Sequence, residues 1–183
     1  LGAFGDAGAV VSHDPKILRR VRMLREYGWS QRNMSRMPGI NSRLDELQAA
    51  FLRILLKDLV PNNQRRRKIA ETYRESIRKS AMELPRERSA GTCVYHQYVI
   101  RTEARNKLKT YLKENGVGTN IHYPYPIHLQ PAYRGRIWMP AGGLPTTERV
   151  AREVLSLPMH PDLSNEELTR VVELLNRWNP RAA

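Results

Sequence analysis

The sequence predicts an α/β chain in two parts: the closing strand and helix of a larger domain over residues 1–40, then a smaller α+β domain over residues 41–183. Three observations predict it. The apolar run Ala9-Val10-Val11 leads at once into Asp14-Pro15, a strand followed by a capped helix, as in an α/β sheet. The stretch G-I-N-S-R-L-D-E-L-Q-A-A-F-L-R-I-L, from Gly39 to Leu55, is helical and apolar over most of its circumference, so it calls for burial between two layers. Downstream, two helices precede a strand–helix–strand–helix–strand–helix order, an α+β sandwich with one layer of sheet.

Element by element, Gly5 and Gly8 around Asp6 make a turn before the first strand; with no G-K-[ST] and no G-x-G-x-x-G, they are a weak phosphate-loop signal. In the helix after Pro15, Ile17, Val21 and Leu24 form the apolar stripe, and Gly28 supplies the left-handed C-terminal residue. Residues 29–40 read as a polar loop. In the central helix Ser42 is the expected cap, Asp45 lies in the first turn, and Leu44, Leu47, Phe51 and Leu55 share one face. Pro61 then bends the chain and opens a second helix that buries Ile69, Tyr73 and Ile77.

Residues 83–92 read as a charged loop, and Val94–Arg101 as a strand. Thr102 is the expected cap of a helix burying Leu108, Tyr111 and Leu112, closed by Asn115-Gly116. Val117–Tyr123 is a second expected strand. Gly142–Pro145 is a loop before a helix starting at Thr146 or Thr147, and Leu155–Met159 is a short strand. Ser164 and Glu167 make a capping box for the last helix, with Leu168, Val171, Leu175 and Trp178 inward.

Composition narrows the function classes. The formal charge of +13 invites a nucleic-acid partner, and the cations cluster at Arg19, Arg20, Arg22 and Arg25 and again at Arg65, Arg66, Arg67 and Lys68. Both clusters fall on the polar side of amphipathic helices and no RNP, KH or zinc-finger pattern accompanies them, so a solvated face is the better reading. Cys93 is the lone cysteine, which excludes an internal disulfide and fits a reducing cytoplasm. No apolar run approaches the roughly 18 residues of a membrane span. The chain opens on Leu1 rather than Met, and its first stretch, with no basic flank and interrupted by Asp6, does not read as a signal peptide, so a soluble cytoplasmic chain or a piece of one is expected.

Two stretches can carry chemistry. Asn41, an amide, and Arg43, a planar cation, stand at the expected start of the central helix, where free N–H groups and the macrodipole favour an anion; the plainer alternative is a cap and a surface arginine. From Gly116 to Tyr133, G-V-G-T-N-I-H-Y-P-Y-P-I-H-L-Q-P-A-Y sets His122, Tyr123 and Tyr125 on backbone stiffened by prolines, suited to orienting a ligand or simply to a turn with packed aromatics. His122 and His128 lack a helical H-x-x-x-H and Cys93 lacks a partner, so no metal site is expected.

Four separated segments resemble the DegT/DnrJ/EryC1/StrS family of pyridoxal-phosphate-dependent nucleotide-sugar aminotransferases. They are L-G-A-F-G-D-A-G-A-V-V, N-S-R-L-D-E-L-Q-A-A, I-H-Y-P-Y-P-I-H-L-Q-P-A-Y, and L-P-T-T-E followed by V-L-S-L-P-M-H-P. The resemblance covers almost the whole chain and implies a fold-type-I transferase, here the end of its large domain plus its small domain. It implies that Asn41 donates to the phosphate of pyridoxal 5'-phosphate in the neighbouring subunit, and that Arg43, His122 and Tyr123 contact a nucleotide-linked keto sugar. It implies a homodimer and an amino-acid donor, glutamate foremost; His128 and Gln130 match the pattern without an assigned role. The third segment is more similar to members acting at the sugar 3-position than at the 4-position.

In the family the Schiff-base lysine lies just upstream of L-G-A-F-G-D-A-G, so it would precede Leu1, and Lys16, in the first turn of a solvated helix, is no substitute. The expectation is a parent aminotransferase and a chain inactive alone. Three rivals stand beside it: a dehydratase of the same family with histidine in place of that lysine, a basic nucleic-acid-binding module, and a structural subunit of a partner chain.

Overall fold

The structure is a computed structural model that describes residues 2–78, 82–87 and 91–180. It divides into two compact units, Leu1–Val60 and Pro61–Ala183. The division falls in the first turn of a helix, whereas the sequence reading placed its boundary at residue 40.

In the first unit, helix α1 (Pro15–Leu24) starts as its sequence dictates: Asp14 accepts from the Lys16 N–H at 2.7 Å and Pro15 occupies the first turn. Its expected buried stripe is not buried, since Ile17 is 49% and Leu24 37% exposed and Val21 is only half-buried. The expected strand over Ala9–Val11 does not form among the described residues, because a strand exists only against a partner and none pairs with it. The segment read as a polar loop is instead a hairpin, β1 (Trp29–Gln31) against β2 (Met34–Ser35), turned by Asn33 at φ 67°.

Helix α2 (Glu46–Leu55) starts later than expected, with Asp45 rather than Ser42 at its N-cap. The Ser42 N–H is already engaged by the Arg25 carbonyl at 2.9 Å, which holds Ser42 in the preceding strap. None of the residues of α2 is buried; Leu47 is 69% and Ile54 60% exposed, so the burial expected for this helix is absent from the structure. A 3-10 turn (Leu56–Asp58) then leads into α3 (Leu59–Ser76), where Pro61 sits in the first turn as expected.

The second unit holds the core. Strands β3 (Tyr98–Arg101) and β4 (Val154–Leu157) pair antiparallel with Tyr98 opposite Leu157 and Ile100 opposite Leu155. Alternation puts those four residues on one face. They pack in one core with Ile69 and Tyr73 of α3, with Leu108 and Leu112 of α4 (Arg105–Glu114), and with Leu168, Val171 and Leu175 of α6 (Asn165–Arg177), which Trp178 closes. The opposite face carries Val99, Arg101, Val154 and Ser156, and β4 is buried along its whole length. The Ser164–Glu167 capping box opens α6 as its sequence requires, and the bond from the Ser164 backbone N–H holds the Glu167 carboxyl below its usual range.

Four expectations need correction here. The strand expected over Val94–Arg101 is confined to its last four residues: Tyr95 takes φ 47°, and the Arg66 guanidinium donates to the Tyr95 and His96 carbonyls, both at 3.3 Å. Thr102 is not the cap of α4; Ala104 is, and Thr102 sits two residues earlier, its carbonyl accepting from the Arg105 N–H. The strand expected over Val117–Tyr123 reduces to one bridge between Asn120 and Ser156, as Gly116, Gly118 and Pro124 weaken the ladder on both sides. Helix α5 (Pro145–Glu153) begins at Pro145 rather than Thr146 or Thr147, proline being well suited to a first helical position. The loop read over residues 83–92 lies partly outside the described residues, at 88–90.

The second basic cluster is not wholly solvated. Arg65 donates to the Leu163 carbonyl at 2.6 Å and to Asn165 Oδ1 at 2.9 Å, and Arg66 donates to the Met159 carbonyl at 2.8 Å, bracing the loops around β4. Arg67 and Lys68 remain exposed.

Two outcomes are expected. Leu155 is fully buried, so Leu155→Ala will cost about 2–5 kcal/mol of unfolding free energy, measured by urea titration. Burial, with Tyr95 beside it, pushes the Tyr98 phenol up to about 12. The unfolded phenol ionises near 10, so between about 10 and about 12 the unfolded state has lost a proton that the folded state keeps. Stability will therefore fall as pH rises through that window, and Tyr98→Phe will flatten the decline.

Candidate functional site

Asn41 and Arg43 belong to the first unit, in an extended strap that precedes α2. The strap is tied to the end of α1 by backbone bonds from Tyr27 N to Ile40 O (3.0 Å) and from Ile40 N to Leu24 O (2.8 Å), and by a bridge between Glu26 and Asn41. Two glycines permit this closeness. A Cβ on Gly39 would land on the backbone of Tyr27 and Gly28, and one on Gly28, itself at φ 76°, on the Met37 carbonyl. The tie explains why Asn41 stands where it does: the chain reverses over Gly28 and returns within backbone contact of α1.

Arg43 then orders the strap's polar groups. Its Nε donates to Asn41 Oδ1 at 2.9 Å, its Nη1 lies 4.0 Å from Glu26 Oε1, and its guanidinium sits 5.7 Å from the Tyr27 ring centroid. With Oδ1 taken, what Asn41 has left to offer is its NH2 group, a pair of donors. That suits a phosphate or another acceptor-only anion. Helix α2 starts beyond Arg43, with the carboxylates of Asp45 at its N-cap and Glu46 in its first turn. The sequence reading missed Glu26 and Tyr27, which become partners of Arg43 only through the reversal at Gly28.

His122 and Tyr123 belong to the second unit, just after the Asn120 bridge to β4. Their rings meet edge to face at 5.4 Å. Both line a cavity of about 490 Å³, with Pro126, Trp138, Val150 and Val154 among its other lining residues. His122 Nδ1 is 2.9 Å from Ser156 Oγ. His128, the matched residue without a role, has its side chain buried, with Nε2 3.2 Å from Glu148 Oε1 on α5. The segment from His122 to His128 is thus pinned at both ends, once to β4 and once to α5, with Pro124 and Pro126 stiffening the span. Tyr123 and Tyr125 are each 73% exposed. Ser156 and Glu148 were not singled out from sequence, although both lie inside the segments V-L-S-L-P and L-P-T-T-E.

The cavity is mostly apolar-walled, with two histidines and two tyrosines in its lining, an arrangement that suits a ligand with both apolar and polar faces. Gln130 lies two residues beyond His128, at the end of the 3-10 turn Ile127–Leu129, and its backbone N–H donates to Ile127 O. No group of three or more His, Cys, Asp or Glu able to hold a metal occurs among the described residues. No helix among them is long and apolar enough to cross a membrane.

The chain is 43% identical over 182 residues to the dTDP-3-amino-3,4,6-trideoxy-alpha-D-glucose transaminase of Streptomyces venezuelae, covering 99% of the chain and 48% of that relative. It is 37% identical to the UDP-N-acetyl-3-dehydro-alpha-D-glucosamine 3-aminotransferase of Acidithiobacillus ferrooxidans, over 97% of the chain and 47% of that protein. The fold superposes on the crystal structure of S. venezuelae DesV with a TM-score of 0.92 at 44% identity, covering 97% of this chain and 48% of that one. It also superposes on Bacillus subtilis NtdA with bound cofactor PMP, with a TM-score of 0.84 at 31% identity, covering 95% of this chain and 42% of that one. The chain spans about half the length of the curated relatives it matches. The profile of the DegT/DnrJ/EryC1/StrS aminotransferase family matches residues 1–176, and the chain belongs to that family.

Proposed function

We propose that this chain is the C-terminal portion of a cytoplasmic, pyridoxal-phosphate-dependent enzyme that moves an amino group from an amino acid, glutamate foremost, to a nucleotide-linked keto sugar. The observation that carries the reading is that sugar transaminases align over nearly the whole chain while the segment His122–His128, common to the resemblance, forms the wall of one cavity. Transfer at the sugar 3-position is supported by the relatives, whose names place the amino or oxo group at that carbon.

In this reading residues 1–40 close the large cofactor-binding domain and residues 41–183 form the small one. Asn41 donates its NH2 group to the cofactor phosphate of the neighbouring subunit in a homodimer; the orientation that Arg43 imposes on its amide supports this. Arg43 contacts the nucleotide-sugar with the donors its internal partners leave over. His122 and Tyr123 contact the sugar from the cavity margin. The bound cofactor supplies the electron sink for amino-group transfer. The lysine that attaches it belongs to the upstream half, so the chain by itself is inactive.

The test is an absorbance spectrum of the intact enzyme with pyridoxal phosphate, before and after borohydride. Aminotransfer through an upstream lysine predicts a yellow band that borohydride bleaches, leaving the cofactor covalently attached. Cofactor that binds but is never trapped indicates the dehydratase branch. Absence of cofactor binding overturns the reading, and salt-sensitive retention of DNA would then restore the basic faces as a nucleic-acid surface. Asn41→Ala will weaken retention of the cofactor by roughly tenfold, measured by dialysis against phosphate, because the charge-assisted bond to the phosphate is lost.

A further inference from the structure

Strand β4 offers one polar side chain within its buried run, Ser156, which is 6% exposed. Its backbone N–H and carbonyl are both committed to Asn120, at 2.8 and 3.2 Å. Its hydroxyl reaches His122 Nδ1 at 2.9 Å. One serine therefore holds the segment at two successive points, the backbone at Asn120 and the ring at His122. Val154, two residues earlier on the same face of β4, lines the cavity beside that ring. Among the described residues Nε2 of His122 has no hydrogen-bond partner, so it is the nitrogen left for a ligand.

We infer that Ser156 is a positioning residue: its hydroxyl fixes the imidazole of His122 so that Nε2 is presented to the nucleotide-sugar in the cavity. The inference rests on the proposed substrate role of His122. A hydroxyl can donate to or accept from Nδ1, so it can serve either tautomer while constraining the ring plane. Its own position is not adjustable, since the β4 backbone pairs with β3 on one edge and with Asn120 on the other. A site built this way loses precision, not its cavity, when the hydroxyl is removed.

The experiment is a double-mutant cycle in the intact, cofactor-loaded enzyme with Ser156→Ala, His122→Ala and the pair, assayed with the keto-sugar nucleotide. Ser156→Ala leaves the backbone bridge in place, and its unfolding midpoint serves as the check on folding. Ser156→Ala is expected to lower kcat/KM roughly three- to tenfold, mainly through KM, with the double variant no worse than His122→Ala. Ser156→Thr, which keeps the hydroxyl, is expected to recover part of the loss. In enzyme with 15N-labelled histidine, Ser156→Ala is expected to shift the His122 Nδ1 resonance, because that nitrogen loses its hydrogen bond to the hydroxyl. Losses that multiply in the double variant, or an unchanged imidazole spectrum, overturn the positioning role. An unchanged kcat/KM for His122→Ala instead overturns the substrate role on which it rests.

Discussion

Burial of β4 on both of its faces is the constraint on which the second unit depends. A strand two residues from solvent on either side could alternate apolar and polar side chains, but this one has no solvent face. Leu155 and Leu157 join the core made by α3, α4 and α6, while Val154 and Ser156 face the cavity side. Core and site therefore share a backbone. A displacement that loosened the packing of Leu155 would move Ser156 with it, since adjacent residues of a strand cannot shift separately by more than a fraction of the pleat.

The first unit follows a different logic. Its geometry comes from backbone contact more than from apolar packing: two glycines let the strap of Ile40 and Asn41 close against the end of α1. Arg43 then donates from Nε to Asn41 Oδ1 and sets its guanidinium near Glu26 and the Tyr27 ring, which leaves the NH2 group as what Asn41 has to offer. The apolar side chains of α2 take no part; Phe51 meets Phe4 edge to face at 5.0 Å, and Gln48 bonds the Phe4 backbone, but Leu47 and Ile54 stay open to solvent. Apolar burial is thus concentrated in the second unit, where twenty buried residues among those described form one core.

Helix starts were well read where the cap chemistry is local. Asp14-Pro15 and the Ser164–Glu167 box appear as written because each needs only a side chain and the N–H groups within three residues of it. Ser42 and Thr102 have the same chemistry but are not the N-caps, and their backbone N–H groups donate instead to the distant Arg25 and Glu153 carbonyls. The strands were less legible. Val94–Arg101 and Val117–Tyr123 both have strand composition, yet pairing partners exist for only the end of one and a single residue of the other.

The sequence by itself determined the helices, the buried faces of α3, α4 and α6, and the family, because periodicity, caps and motif segments are written within a few turns of chain. It also marked Asn41, Arg43, His122 and Tyr123. Only the tertiary structure decided which groups hold them: Glu26 and Tyr27 for Arg43, Ser156 for His122, Glu148 for His128. These partners lie 16 and 17 residues away along the chain in the first unit, where the turn at Gly28 folds them together, and 20 and 34 residues away in the second. A side chain's neighbours across such separations depend on how elements dock, and docking is a property of the whole core that no local pattern carries.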